Sequence, residues 1–361
     1  MKPEEMRDRT KEFAKRVINV CRQLPATQAG RLIGDQLFRA GSVVAVVVIV
    51  SLAACGAPRP PQQFTLRIGL FTTQDYIPYF VMQEQGFAKQ QGLRFEETSY
   101  PGGAAIIEAI AAGTLDMGMA GSVPALSSAE RGLIPGKVVV VAANNFADPD
   151  HPGVGLLVAP SVNTWKDLQG QFIAVNAVNS IQGAAIKGRL RQEGVRDYSL
   201  VEIPFSNMGL AVAGADVAAA TMYEPFLSQS LLRGDGKLLG WIIGGPPFER
   251  MESTLIVFSA DLYRGNPQAV KAFLRAHLQA LKWMNENPEG TRAILAKRLD
   301  LSKEVGLKVS LLHWPLDARN NPALLDSMQP TLVQLGMLKA PIPAGRLYDE
   351  TLLNEVLAEK R

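Results

Sequence analysis

Apolar and polar positions in this chain follow two periods, and the change from one to the other marks the elements. From Thr65 to Phe71, Leu66, Ile68 and Leu70 alternate with other residues, which predicts a strand. A polar loop, Thr72-Thr73-Gln74-Asp75, closes it. Tyr76 to Gln91 reads as a helix ended by Gly92, and Leu93 to Thr98 alternates again as a second strand. A strand–helix–strand order of this kind argues for a parallel sheet.

The stretch from Tyr100 to Leu126 repeats the theme twice. Pro101-Gly102-Gly103 precedes Ile106, Ile107, Ile110 and Ala111 at helical spacing, and Gly113-Thr114 stops that helix. Leu115 to Ala120 is a short buried strand. Gly121-Ser122 then opens a second helix, with Ser122 expected as its N-cap and Pro124 near its first turn. If the preceding strands are parallel, both helix starts face one edge of the sheet. Free N–H groups and two positive dipole ends then meet in one crevice, where open α/β sheets bind small molecules.

Lys137 to Ala143 is a further buried strand, with Asn144, Asn145 and Phe146 at its exit. Strands follow at Gly153–Ala159, Gln171–Asn176, Leu200–Pro204, Asp216–Ala220 and Lys237–Ile243, with helices opening near Asn179 and Ser206. Thr254–Ser259 is again a strand. Asn266-Pro267 starts a long amphipathic helix to Glu286, whose stripe includes Val270, Phe273, Leu274, His277, Leu278 and Leu281. His277 is therefore read as a packed side chain rather than a ligand. This order divides the body into one lobe of residues 64–153 and 246–361 and a second of residues 154–245.

Composition changes the picture at the front of the chain. The net charge of +3 belongs to the leader: residues 1–55 carry 9 of the 37 basic and 5 of the 34 acidic side chains, which leaves the body near neutral. A body without a basic excess gives no footprint for nucleic acid. Both cysteines, Cys21 and Cys55, lie in this leader, so the body has no disulfide framework and no thiol nucleophile. His151, His277 and His313 lack zinc-ligand spacing, and no metal or cofactor is expected. After Arg39, the apolar run from Gly41 to Cys55 is short for a membrane span and ends in Leu52-Ala53-Ala54-Cys55-Gly56. Residues 43–55 resemble the h-region and lipobox of a bacterial lipoprotein signal, with Cys55 as the acylated anchor. The Pro-rich residues 56–63 suit a tether. Residues 1–42 resemble a fragment of the four-helix-bundle family found in ribosomal-RNA intervening sequences. Only the first helix and the start of the second are there, so either a fused or mis-started segment leaves with the signal, or two genes are joined.

Several ordered motifs carry a resemblance over roughly residues 64–340. They are Gly86-Phe87-Ala88 with Gly92-Leu93, Gly102-Gly103 with Ala112-Gly113-Thr114-Leu115-Asp116, Gly121-Ser122-Val123-Pro124, Thr164 to Gly170, and Asp216-Val217-Ala218 with Glu224-Pro225-Phe226. Together they resemble the solute-binding proteins of ABC importers of the nitrate, sulfonate and taurine type, a group that includes binders of thiamine-precursor pyrimidines. The resemblance implies a two-lobed α/β fold of the periplasmic-binding-protein type (type II), with two crossing hinge strands and a ligand cleft between lobes. It implies a monomer, anchored by lipid on the outer face of the membrane, that hands a small solute to an ABC permease and its ATPase. Carried over by position, the first lobe would give the cleft Thr72, Thr73, Gln74, Gly102, Gly103, Gly121, Ser122, Val123, Asn144 and Asn145. The second would give it Asn179, Ser180, Gln182 and Glu224. Tyr76, Phe146, Tyr223 and Trp314 are candidates for apolar walls. These loops hold Asp75 and Glu224 but no Lys or Arg. A sulfonate or nitrate anion would need backbone N–H groups and amides alone, whereas a neutral or amine-bearing heterocycle would suit the carboxylates. An enzyme of the thiamine-pyrimidine synthesis type and a ligand sensor without transport are the alternative readings.

Overall fold

Two five-stranded sheets carry the body of the chain, and each takes one strand in the sense opposite to that of its neighbours. The computed structural model describes residues 3–37, 39–40, 63–71 and 73–359. The expected signal with Cys55, most of the tether and Thr72 lie outside the described residues. The chain divides into two units, Met1–Pro61 and Gln62–Arg361. In the first, helix α1 (Pro3–Gln23) leads into helix α2 (residues 28–37). Thr27 Oγ1 accepts the Gly30 N–H at 3.1 Å in the turn, and Cys21 Sγ donates to the Gly34 carbonyl at 3.4 Å. Two helices cannot cover both apolar stripes: Phe13 remains 46% and Leu32 62% exposed.

In the second unit the chain forms β1 (Phe64–Leu70), β2 (Leu93–Ser99), β3 (Met117–Gly121) and β4 (Val138–Ala147). It then builds β5 (Val154–Val158), β6 (Gln171–Val175), β7 (Tyr198–Glu202), β8 (Ala219–Tyr223) and β9 (Lys237–Ile243), and returns as β10 (Met251–Ser259). The first sheet has the order β2-β1-β3-β10-β4 and the second β7-β6-β8-β5-β9. β1 is parallel to β2 and β3, and β6 is parallel to β7 and β8. β10 enters from the other lobe, so it runs antiparallel to β3 and β4. β5 is likewise antiparallel to β8 and β9. The strand–helix–strand stretches are parallel as expected, and antiparallel pairing enters only with β10 and β5, beside the crossings between lobes. The crossings follow β4 and precede β10, the paired hinge strands.

Helices α3 (Ile77–Glu84), α4 (Phe87–Gln90), α5 (Gly103–Ala111) and α6 (Ser122–Glu130) belong to the first sheet's connections. The expected single helix from Tyr76 to Gln91 is broken: a 3-10 turn covers Gln74–Tyr76, and Gly86, at φ +73°, separates α3 from α4. Helices α7 (Ile181–Gln192), α8 (Phe205–Ala213) and α9 (Phe226–Arg233) serve the second sheet. After β10 come α10 (Ala260–Gly265), α11 (Pro267–Glu286), α12 (Pro288–Arg298), α13 (Lys303–Lys308), α14 (Pro322–Gln334) and α15 (Thr351–Ala358). No helix among the described residues is long and apolar enough to cross a membrane.

Helix α5 lies close on its sheet because small residues face it. A Cβ at Gly118 would meet Ile106 Cγ2 at 2.5 Å, and one at Gly103 would meet the Ala120 Cα at 2.8 Å. This seating fixes the start of α5 at the sheet edge. On α11, His277 is fully buried, its ring stacked on Phe273 at 5.8 Å. Burial lowers its pKa to about 3, so the ring is neutral and packed.

Candidate functional site

A cavity of about 310 Å³ opens where loops of the two sheets face each other. From the first sheet, Phe71 and Asp75 follow β1, Pro101 to Ala105 form the start of α5, and Gly121 and Pro124 lie at the start of α6. From the second, Asn176 and Ala177 follow β6, Asn179 to Gln182 form the start of α7, and Glu202, Phe205 and Tyr223 complete the wall. Each group stands at the carboxyl end of a strand, where an α/β sheet leaves its loops free to diverge. The lobes come close here: a Cβ on Gly102 would lie 3.4 Å from Asn176 Nδ2.

Of the residues carried over from sequence, Gly102, Gly103, Gly121, Asn179, Ser180 and Gln182 line this cavity. Ser180 is the N-cap of α7: its Oγ accepts the Gly183 N–H at 3.2 Å and donates to the Ala177 carbonyl at 2.7 Å. Gln182 is 2% exposed, and its Nε2 has no hydrogen-bond partner among the described residues. Asn176 Oδ1, on the same wall, is also without one.

The other described candidates, Thr73, Gln74, Ser122, Val123, Asn144, Asn145 and Glu224, are not among the residues that line it. Gly121, not Ser122, is the N-cap of α6, so Ser122 is the first helical residue and its Oγ is buried without a partner among the described residues. Val123 is buried in the same apolar core as Ile106 and Ile107. Asn144 and Asn145 lie within β4 rather than at its exit. Gln74 Oε1 accepts the Leu312 N–H at 3.1 Å, and the Gln74 N–H donates to the Glu224 carbonyl at 3.3 Å. Glu224 precedes α9, and its carboxylate accepts from Ser228 Oγ at 2.8 Å, the Ser228 N–H at 3.1 Å and the Ser310 N–H at 3.2 Å. Gln74 and Glu224 thus join the lobes through the segment 310–312, and burial raises the Glu224 carboxyl above its ordinary range. Among the aromatic candidates, Tyr223 reaches the cavity. The Tyr76 hydroxyl donates to the Gly69 carbonyl at 2.7 Å inside the core, and Phe146 packs near His313. Trp314 lines a separate pocket with His151 and His313.

The sequence placed Asp75 in the cleft loops as a carboxylate but did not include it among the carried-over site residues. Asp75 is part of the wall but exposes no area to water. Its Oδ2 accepts from Thr73 Oγ1 at 2.7 Å, and its Oδ1 accepts from Asn145 Nδ2 at 2.8 Å and Thr254 Oγ1 at 3.1 Å. Asn144 Nδ2 donates to the Asp75 carbonyl at 2.9 Å and to Thr254 Oγ1 at 3.0 Å. Thr73, Asn144 and Asn145 therefore orient Asp75. Burial raises the Asp75 carboxyl above its ordinary range, and the three donors offset this only in part. Phe71, Asn176, Glu202 and Phe205 were also missed. Their signal was position alone, at or just after the carboxyl end of a strand. Among the described residues, no group of three or more His, Cys, Asp or Glu is arranged to hold a metal.

The model of the NMT1-like family matches residues 59–300. The taurine-binding periplasmic protein of Escherichia coli (strain K12) is 25% identical over 215 residues, which are 56% of this chain and 61% of that protein. The chain thus spans about three-fifths of the length of that curated relative. Among solved structures, the ligand-binding component of an ABC-type import system from Staphylococcus aureus, with zinc bound, superposes at a TM-score of 0.70 with 14% identity, covering 82% of this chain and 99% of that one. The periplasmic nitrate-binding protein NrtA from Synechocystis PCC 6803 gives 0.68 with 15% identity, covering 83% and 90%. The periplasmic aliphatic sulphonate-binding protein SsuA from Escherichia coli gives 0.61 with 18% identity, covering 80% and 92%. These likenesses show the periplasmic-binding-protein fold.

Proposed function

The chain belongs to the NMT1-like family, and from that membership we propose that it is an extracytoplasmic solute-binding protein that delivers a small organic solute to an ABC permease and its ATPase. The observation that carries this reading is the cavity between two sheets, walled by the starts of α5, α6 and α7 and by amide groups of Asn176 and Gln182 that lack partners among the described residues. Such a site grips a solute that touches both lobes, and closure follows from that double contact. The relative from Escherichia coli is named for binding taurine in the periplasm, which supports a carrier rather than an enzyme. The solute is either a sulfonate- or nitrate-type anion or a pyrimidine-like heterocycle.

In this reading residues 64–153 with 246–361 form one lobe and residues 154–245 the other, and the protein works as a monomer. Cys55, acylated after removal of the signal, anchors it to the membrane, and residues 56–63 set the domain off from the surface. The direct test is native mass spectrometry of protein taken from its own envelope, followed by calorimetry with the released solute. A bound small molecule that tightens the scattering profile on binding supports the carrier. Chemical conversion of that molecule by the purified protein would replace the reading with an enzyme. Retention of Met1 to Ala54 in the mature protein would remove the anchor at Cys55.

A further inference from the structure

We propose that the cleft selects a solute bearing a protonated nitrogen, an ammonium or an amidinium, with the Asp75 carboxylate as its counter-charge. The inference rests on the reading of the cavity as the solute site and narrows it to a class.

Charge is the first ground. Neither the cavity nor the adjoining mouth, which shares Phe71, Pro101, Asn176, Glu202 and Phe205 with it, is lined by a Lys, Arg or His among the described residues. The carboxyl groups there are Asp75 and Glu202. Glu202 Oε1 accepts only a neutral donor, the Val178 N–H at 2.7 Å. Asp75 is held by two hydroxyls and one amide, all donating. Three donors onto two oxygens suit an ionised carboxylate, which accepts and does not donate. A buried carboxylate is normally found with a cation. Here the described residues supply none, and the wall that Asp75 belongs to is the wall of the cavity.

Shape and the remaining polar groups agree. Asn176 Oδ1 offers a second acceptor, unpartnered among the described residues. Phe205 and Tyr223 pack edge to face at 6.0 Å, and Phe71 also lines the cavity. Aromatic faces attract cations, and they also cover the apolar body of an organic solute. The starts of α5 and α7, with Gln182 Nε2 unpartnered among the described residues, offer donors to an electronegative group of the same solute. A zwitterion therefore satisfies the site, whereas a simple anion meets the Asp75 charge with nothing to offset it.

The experiment compares matched probes: taurine against isethionate, in which a hydroxyl replaces the ammonium, and benzamidinium against benzoate. Calorimetry on the full body of the wild-type protein should give the nitrogen-bearing member of at least one pair an affinity higher by about tenfold or more, the scale of one poorly screened charge contact. Asp75→Asn should bring the two members of that pair together. Asn176→Lys, at a half-buried position that leaves the Asp75 hydrogen bonds in place, supplies a resident cation and should also erase the preference, so the outcome does not hang on the folding of one variant. Equal or tighter binding of the anionic member overturns the class while leaving solute capture intact. A nitrogen preference that survives both substitutions overturns the role of Asp75. No binding by either pair also overturns the class, and the solute recovered by native mass spectrometry then judges the carrier reading independently.

Discussion

The carboxylate of Glu224, at the end of β8, accepts the backbone N–H of Ser310 at 3.2 Å. This bond ties the second sheet to the segment that follows α13, beside the Gln74–Leu312 hydrogen bond. Glu224 therefore acts as a clasp between lobes, next to the hinge and away from the cavity wall. Glu224→Ala strips acceptors from the Ser228 and Ser310 N–H groups in a buried setting. It should cost about 2–3 kcal/mol in urea unfolding, the penalty for orphaned donors. Affinity for the solute should change less than stability does.

Ser122 offers the opposite case. Its hydroxyl is fully buried and lacks a partner among the described residues. Ser122→Ala removes an unsatisfied polar atom from the first turn of α6. The variant should be as stable as the wild type or more stable by about 1 kcal/mol, with unchanged solute binding. A large loss of affinity, measured by calorimetry, would show that Ser122 turns toward the ligand.

Glu252 makes stability depend on pH. It lies on β10, fully buried, and accepts the Tyr348 hydroxyl at 2.6 Å. Burial raises its pKa from 4.5 to about 8. For an acid raised in the folded state, the contribution is intact below the unfolded pKa near 4.5 and is lost as pH rises toward 8. His277 works in the reverse sense: lowered from 6.5 to about 3, it contributes stability above 6.5 that is lost as pH falls toward 3. The two slopes oppose each other between 4.5 and 6.5, and of these two only the Glu252 slope continues from 6.5 to 8, in the same sense as the buried, raised carboxyls of Asp75 and Glu224. Over that upper window wild-type stability should fall by up to about 1.4 kcal/mol per pH unit, and Glu252→Gln should flatten the profile. Urea midpoints across that range measure it.

Gly103 sets the cleft edge. A methyl group there would press on the Ala120 Cα at 2.8 Å and the Gly121 nitrogen at 3.0 Å, both backbone. Gly103→Ala should cost about 1–3 kcal/mol and weaken solute binding, because the start of α5 must lift from the sheet. Thermal unfolding and calorimetry on one preparation separate the two effects.

What the sequence determined by itself was local. The period-two run Thr65–Phe71, the apolar run within Gln171–Asn176, the long stripe of α11 and the glycine punctuation at 102–103 are written in neighbouring residues, so strands and helices were legible, and the ordered motifs carried the resemblance that implied the two-lobed fold. The packed state of His277 was legible for the same reason, since a position on an apolar stripe declares its own burial. Which polar loop residue faces the cavity was decided only by tertiary structure. Ser122, Asn144 and Glu224 look like ligand groups in one dimension, but whether a side chain meets solute or a distant backbone N–H depends on partners far along the chain. Glu224 meets Ser310 across 86 residues, and Asp75 meets Thr254 across 179. No periodicity encodes such pairs, because they form only when two sheets have already closed on each other.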